Sequence, residues 1–129
     1  MHYRFPYFED RPHLPIVLEY GCNRARFLPL LDTGADFTVL YRSDALRLGL
    51  NWDEGKDTTF HNADGSVFIA KEFTLKMEIE GFSFPATICF AENTKSAMPL
   101  LGRKGVLENF LVTLNEREQY VEIESHQLR

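Results

Sequence analysis

The chemistry of this sequence starts at Leu30-Leu31-Asp32-Thr33-Gly34-Ala35-Asp36, with Val39 and Leu40 a few residues on. An apolar run that reads as a buried strand delivers Asp32 to a tight turn, after which Thr38, Val39 and Leu40 read as strand again. Burying a carboxylate is expensive unless hydrogen bonds or a shared proton compensate. Asp32 therefore asks for partners, and a carboxylate held in this way is equipped for acid and base work. Asp, Thr and Gly are also ordinary turn formers, and a plain hairpin turn accounts for the tripeptide taken alone.

A second stretch changes the weighing. Pro99-Leu100-Leu101-Gly102-Arg103 stands far along the chain and is followed by Val106-Leu107-Glu108-Asn109-Phe110. With both stretches in this order, residues 14 to 124 resemble the retropepsin family, the single-domain aspartic proteases of retroviral type and their cellular and bacterial relatives. The shared pattern is an apolar pair before Asp-Thr-Gly-Ala-Asp, then an apolar pair plus Gly-Arg that opens a short helix near the C-terminus. The joint match is far more specific than either piece.

The resemblance implies an aspartic endopeptidase. Such chemistry needs two carboxylates facing each other across a water and sharing one proton, because like charges so close do not both ionise. One takes a proton from the attacking water while the other donates to the peptide carbonyl oxygen. Only one Asp-Thr-Gly is present, since Asp53-Glu54-Gly55 and Asp64-Gly65-Ser66 do not fit. The catalytic pair therefore requires Asp32 from two copies of the chain in an isologous homodimer.

By the same resemblance Thr33 bonds across the two-fold axis, and Gly34 lets the backbone approach and bind a peptide. Ala35 stands where some members have Ser, which removes one donor near the carboxylates and extends activity toward weakly acidic or neutral pH. Asp36 pairs with Arg103 and reaches the peptide backbone. Leu100 and Leu101 pack beside the catalytic pair and line the pockets, while a hairpin with Ala63, Asp64 and Gly65 at its tip is the flap that closes over bound peptide. Neither cofactor nor metal is implied: His2, His13, His61 and His126 are dispersed, and no Cys-x-x-Cys occurs. A rival reading keeps the fold as a catalytically silent module for peptide binding or dimerisation. A third has a chain that is inactive as a monomer until a partner joins two copies.

The elements that must position these residues are strands. A chain of 129 residues with 44% apolar content and eleven Phe supports one domain with a proper core, here an N-terminal arm at 1–13 and a core at 14–124. Fourteen basic against nineteen acidic side chains give a net charge of −5, without a basic run, so nucleic acid is not an expected partner. No run approaches membrane-spanning length and the N-terminus has no signal-like apolar segment. Two scattered cysteines, Cys22 and Cys89, suit a reducing, cytoplasmic setting.

In order, Tyr3, Phe5 and Tyr7 alternate in an edge strand or extended arm, and Leu14 to Tyr20 and Ala25 to Leu31 flank a turn at Gly21-Cys22-Asn23-Arg24. Ser43 is the expected cap of a helix through Leu48, closed by Gly49. Thr58 to Asn62 and Ser66 to Lys71 form the Asp-Gly hairpin, Phe73 to Ile79 and Phe82 to Phe90 alternate as a further pair, and Pro85 marks an edge or bulge. A polar loop at Ala91 to Met98, a short helix within Gly105 to Phe110, and strands at Leu111 to Leu114 and Gln119 to Glu124 complete the chain. The expected fold is all-β, a small closed barrel-like sheet with two short helices.

Overall fold

The structure is a computed structural model that describes residues 1–93 and 97–126; residues 94–96 of the polar loop lie outside the described residues. Strands take 54% of the chain, which makes it all-β. Numbered in chain order they are β1 (His2–Pro6), β2 (Ile16–Tyr20), β3 (Asn23–Phe27), β4 (Leu30–Leu31), β5 (Thr38–Tyr41), β6 (Lys56–His61), β7 (Val67–Ile79), β8 (Phe82–Ala91), β9 (Leu100–Leu101), β10 (Phe110–Asn115) and β11 (Tyr120–Ser125). One helix, α1 (Arg42–Arg47), and two single 3-10 turns, Trp52–Glu54 and Leu107–Asn109, complete the order. The larger sheet runs β3-β2-β7-β8-β5-β9-β4, with β6 also on β7, and curls into a half-barrel. The smaller sheet is β1-β11-β10.

The curl follows from β7. Its buried residues are Phe68 and Ala70 in the first half but Leu75, Met77 and Ile79 in the second, so the buried parity changes across Lys71-Glu72-Phe73. Because successive strand residues face opposite sides, one strand serves two cores. Leu75, Met77 and Ile79 join the main cluster with Ile16, Leu18, Leu40, Phe90 and Ile123, while Phe68 and Ala70 join Val39, Cys89 and Ala91 on the other face. Two separate strands are expected from the sequence here, and the continuous 13-residue strand is the correction. Strand β8 is covered on both faces at its end, with Ile88 and Phe90 in one cluster and Cys89 and Ala91 in the other. Pro85 lies where β8 has β7 beside it, before pairing with β5 begins at Ile88, which fits the edge position expected of it.

Local chemistry moves several boundaries. Leu28-Pro29 splits the run expected at Ala25 to Leu31 into β3 and β4. Helix α1 starts at Arg42, so Ser43 lies inside it; the Tyr41 N–H donates to the Asp44 carboxylate at 3.0 Å and closes the first turn instead. Gly49, at φ +75°, ends it by donating to the Leu46 carbonyl at 3.0 Å. The expected C-terminal helix is only the 3-10 turn Leu107–Asn109. Strand β1 pairs antiparallel with β11, setting Phe5 opposite Val121, and Phe5 is buried in the main cluster. Both edges of β11 are thus occupied within its own chain, by β1 and β10.

Cys22 is exposed in the β2–β3 turn and Cys89 is buried. Burial, reinforced by the nearby Glu72 carboxylate, pushes the Cys89 thiol up to about 12. The unfolded chain ionises this thiol near pH 8.5, so its contribution to stability is complete below that pH and is lost as pH rises toward 12. A thiol reagent at about pH 8 is expected to titrate one cysteine per native chain and both after denaturation. Rapid native labelling of both thiols would contradict this burial.

Candidate active site

The site is made by a short strand placed between two others. β9 pairs parallel with β4, Leu31 beside Leu101, and antiparallel with β5, Val39 beside Leu100. The turn that joins β4 to β5 carries Asp32, and the segment that follows β9 closes against it. The Asp32 N–H donates to the Leu101 carbonyl at 3.0 Å, and the Ala35 N–H donates to the Asp32 carbonyl at 3.2 Å. The Asp32 Oδ1 accepts from the Gly34 N–H at 2.8 Å. One carboxylate oxygen is thereby oriented by the backbone of its own loop, and the side chain is only half-buried. A Cβ on Gly34 would stand 3.2 Å from that oxygen, a tight approach that glycine avoids.

Gly102 locks the two stretches together. A Cβ there would lie 2.3 Å from the Phe37 carbonyl oxygen and 2.4 Å from its carbon, so no larger residue fits without backbone movement. Its N–H donates to Thr38 Oγ1 at 3.0 Å, and Thr38 is completely buried. The Arg103 N–H donates to the Ala35 carbonyl at 2.9 Å and the Lys104 N–H to the Asp36 carbonyl at 2.8 Å. Arg103 and Asp36 form an ion pair, and the hydrogen bond from Arg103 holds the Asp36 carboxyl below the usual carboxylate range. Both side chains are about half exposed, 55% and 52%, so the pair fixes geometry and adds little stability. What it adds is present above the ordinary carboxylate pKa near 4 and fades as pH falls through the lowered value.

Beside the loop runs a groove lined by Gly34, Ala35, Asp36, Phe37, Val39, Phe60, His61, Phe68 and Leu100. Phe60 stacks on Phe68 with centroids 5.1 Å apart, and Phe37 meets Phe60 edge-on at 5.5 Å. Of the sequence-predicted residues, the structure brings Asp32, Gly34, Ala35, Asp36, Arg103 and Leu100 together. Thr33 is exposed at the loop tip. Leu101 faces the main core and is fully buried, so of the leucine pair only Leu100 reaches the groove, as strand alternation requires.

Ala63, Asp64 and Gly65 form the exposed tip of the β6–β7 hairpin, beyond the lining residues. There the Asp64 carboxylate accepts from the Ser66 N–H at 2.9 Å and hydroxyl at 2.6 Å, which lowers its pKa, while Gly65 takes φ +89°. Thr38, Phe37, Phe60 and Phe68 escaped the sequence reading. Thr38 left one signal, a hydroxyl inside an apolar strand. Among the described residues no three His, Cys, Asp or Glu cluster as metal ligands.

An all-β fold whose single Asp-Thr-Gly loop is braced by a Gly-Arg segment and borders a groove defines the aspartyl protease class. The sequence profile of the family described as "gag-polyprotein putative aspartyl protease" matches residues 19–106, and the chain belongs to that family. Among solved structures it is similar to a retropepsin-like aspartic protease from Rickettsia conorii. The match has a TM-score of 0.69 at 24% identity and covers 95% of this chain and 98% of that one. No curated protein sequence matches significantly.

Thr38→Val, close in shape, leaves the Gly102 N–H buried without its partner and is expected to destabilise the fold by about 1–3 kcal/mol, whereas Thr38→Ser is expected to keep most of the stability. Urea unfolding of the three proteins checks this; equal losses for Val and Ser would show that the hydroxyl is not what matters.

Proposed function

We propose that the protein is an aspartic endopeptidase that acts as a homodimer, with Asp32 of each copy forming the catalytic pair. The observation that carries this reading is the half-buried Asp32 carboxylate, set at the end of β4 and oriented by the Gly34 N–H, in a loop whose Gly34, Ala35 and Asp36 line an aromatic groove. A peptide lies extended in that groove, its backbone bonded by the loop around Gly34 and by Asp36, its side chains in alternating positions. One carboxylate takes a proton from the water that attacks the scissile carbonyl, and the protonated partner donates to the oxygen as it becomes tetrahedral. Thr33, exposed at the loop tip, is suited to bond its counterpart across the axis, and the β6–β7 hairpin serves as the flap. The arm at 1–13 and the core at 14–124 work as one unit, and two free thiols suit a cytoplasmic setting.

The test is cleavage of a diverse peptide mixture read by mass spectrometry from acidic to neutral pH. Wild type and Asp32→Asn are compared at high protein concentration, with sedimentation reporting the assembly state. Cleavage that falls by about a thousandfold or more in the variant supports the assignment. Silence from a wild-type dimer would overturn it in favour of the binding module, and silence from a monomer would point to a missing partner.

Replacing Ala35 by Ser restores a hydroxyl donor near the carboxylates, which favours their ionised form. The pH–rate profile of Ala35→Ser is expected to move to lower pH. A profile that stays fixed or moves upward would show that position 35 does not tune the pair.

A further inference from the structure

Lys104 has a setting that neither motif requires. Its backbone is fixed by the bond to the Asp36 carbonyl, yet its ammonium lies 5.2 Å from the centroid of Phe37, a ring that lines the groove. A cation over a ring face is held by the ring quadrupole, and that contact leaves its N–H donors available. Among the described residues Lys104 forms no salt bridge, since the neighbouring Asp36 carboxylate is taken by Arg103. Beside Phe37 the two cations Arg103 and Lys104 thus stand near the Asp36 carboxylate and the Asp32 loop, and Lys104 is the cation left without a salt bridge. Immediately beside it, Phe37, Val39, Phe60, Phe68 and Leu100 make an apolar wall.

An extended peptide presents residues i and i+2 on the same side, about 6.5–7 Å apart. The Lys104 ammonium, 5.2 Å from the Phe37 ring on a flexible stem, is within reach of a side chain two residues from one packed on that aromatic wall. Building on the peptidase reading, we propose that Phe37 and Lys104 set substrate specificity. An aromatic or bulky aliphatic side chain enters against Phe37, Phe60 and Phe68, and a carboxylate-bearing side chain two residues away meets Lys104. The preferred substrates are acidic-aromatic peptides. Lys104 is a specificity residue that touches the peptide away from the scissile bond.

Peptides identical except for Glu, Gln or Lys placed two residues to either side of a Phe separate the possibilities. Binding to the Asp32→Asn protein is measured by fluorescence anisotropy at about pH 6, where Glu is ionised, and wild-type cleavage is measured in competition. Glu is expected to be preferred over Gln by about threefold to fivefold on one side of the Phe, and the preference is expected to shrink in about 0.5 M salt. In Lys104→Gln the Glu to Gln ratio falls to one, and in Lys104→Glu the Lys peptide overtakes the Gln peptide. Each ratio is internal to one protein, so a general loss of folded molecules does not imitate the result. Equal binding of Glu and Gln peptides, no peptide binding, or a preference that survives in Lys104→Gln would overturn the inference. A Glu preference in binding without wild-type cleavage would uphold it and sink the peptidase; cleavage without a Glu preference would do the reverse.

Discussion

The contact between Gly102 and Phe37 is the constraint on which the site depends. A backbone passing that close to another backbone admits no side chain, and it brings the Gly102 N–H onto the only buried polar side chain among the described residues, Thr38. Everything at the aspartate follows from this approach. With Gly102 seated, Leu101 presents its carbonyl to the Asp32 N–H, and Arg103 and Lys104 donate to Ala35 and Asp36 in turn. The Asp32 loop is held from outside by backbone bonds, which leaves its carboxylate to the Gly34 N–H. Buried backbone groups are costly to leave unpaired, so a loop braced in this way has little freedom to turn the carboxylate elsewhere.

The two faces of β7 belong to two different clusters. The main cluster, on one face, holds most of the large aliphatic residues together with Phe5, Phe84, Phe90 and Phe110. The other face carries a small cluster of Val39, Phe68, Ala70, Cys89 and Ala91, against which Phe37 and Phe60 are packed. Small residues in this cluster leave room for the rings packed on it, and Phe37, Phe60 and Phe68 line the groove. The hairpin that carries Phe60 and Phe68 is therefore tied to the rest by this smaller cluster and by the β7–β8 ladder.

Much of this was legible from residue types. Asp32, Gly34, Asp36, Gly102 and Arg103 stand out because the two stretches together resemble the retropepsin pattern, although each alone suits an ordinary turn, and the alternation of Leu75, Met77 and Ile79 marks the strand and its buried face. The groove wall was not legible. Alternation tells which residues share a face but not which face meets the core, and β7 exchanges its faces at Lys71-Glu72-Phe73, where no turn residue marks the change. For the same reason Leu101 was grouped with Leu100 although strand geometry sends them opposite ways. Ser43 looked like a helix cap because its hydroxyl suits that role, yet Asp44 reaching back to the Tyr41 N–H sets the start two residues earlier than a Ser43 cap would.

The insertion of β9 between β4 and β5 also says when in the life of the chain the site comes into being. The bond from Gly102 to Thr38 spans 64 residues and the pair of Arg103 with Asp36 spans 67. Closing such loops costs entropy before any contact repays it. A growing polypeptide that has reached only Pro99 carries the whole Asp-Thr-Gly sequence but has neither the Leu101 carbonyl nor the Gly102 segment to brace it. The aspartate loop is thus braced only once the segment after Pro99 has been added. A chain that stops short of Leu101 lacks the backbone partner of the Asp32 N–H, so the loop depends on residues about seventy positions further on.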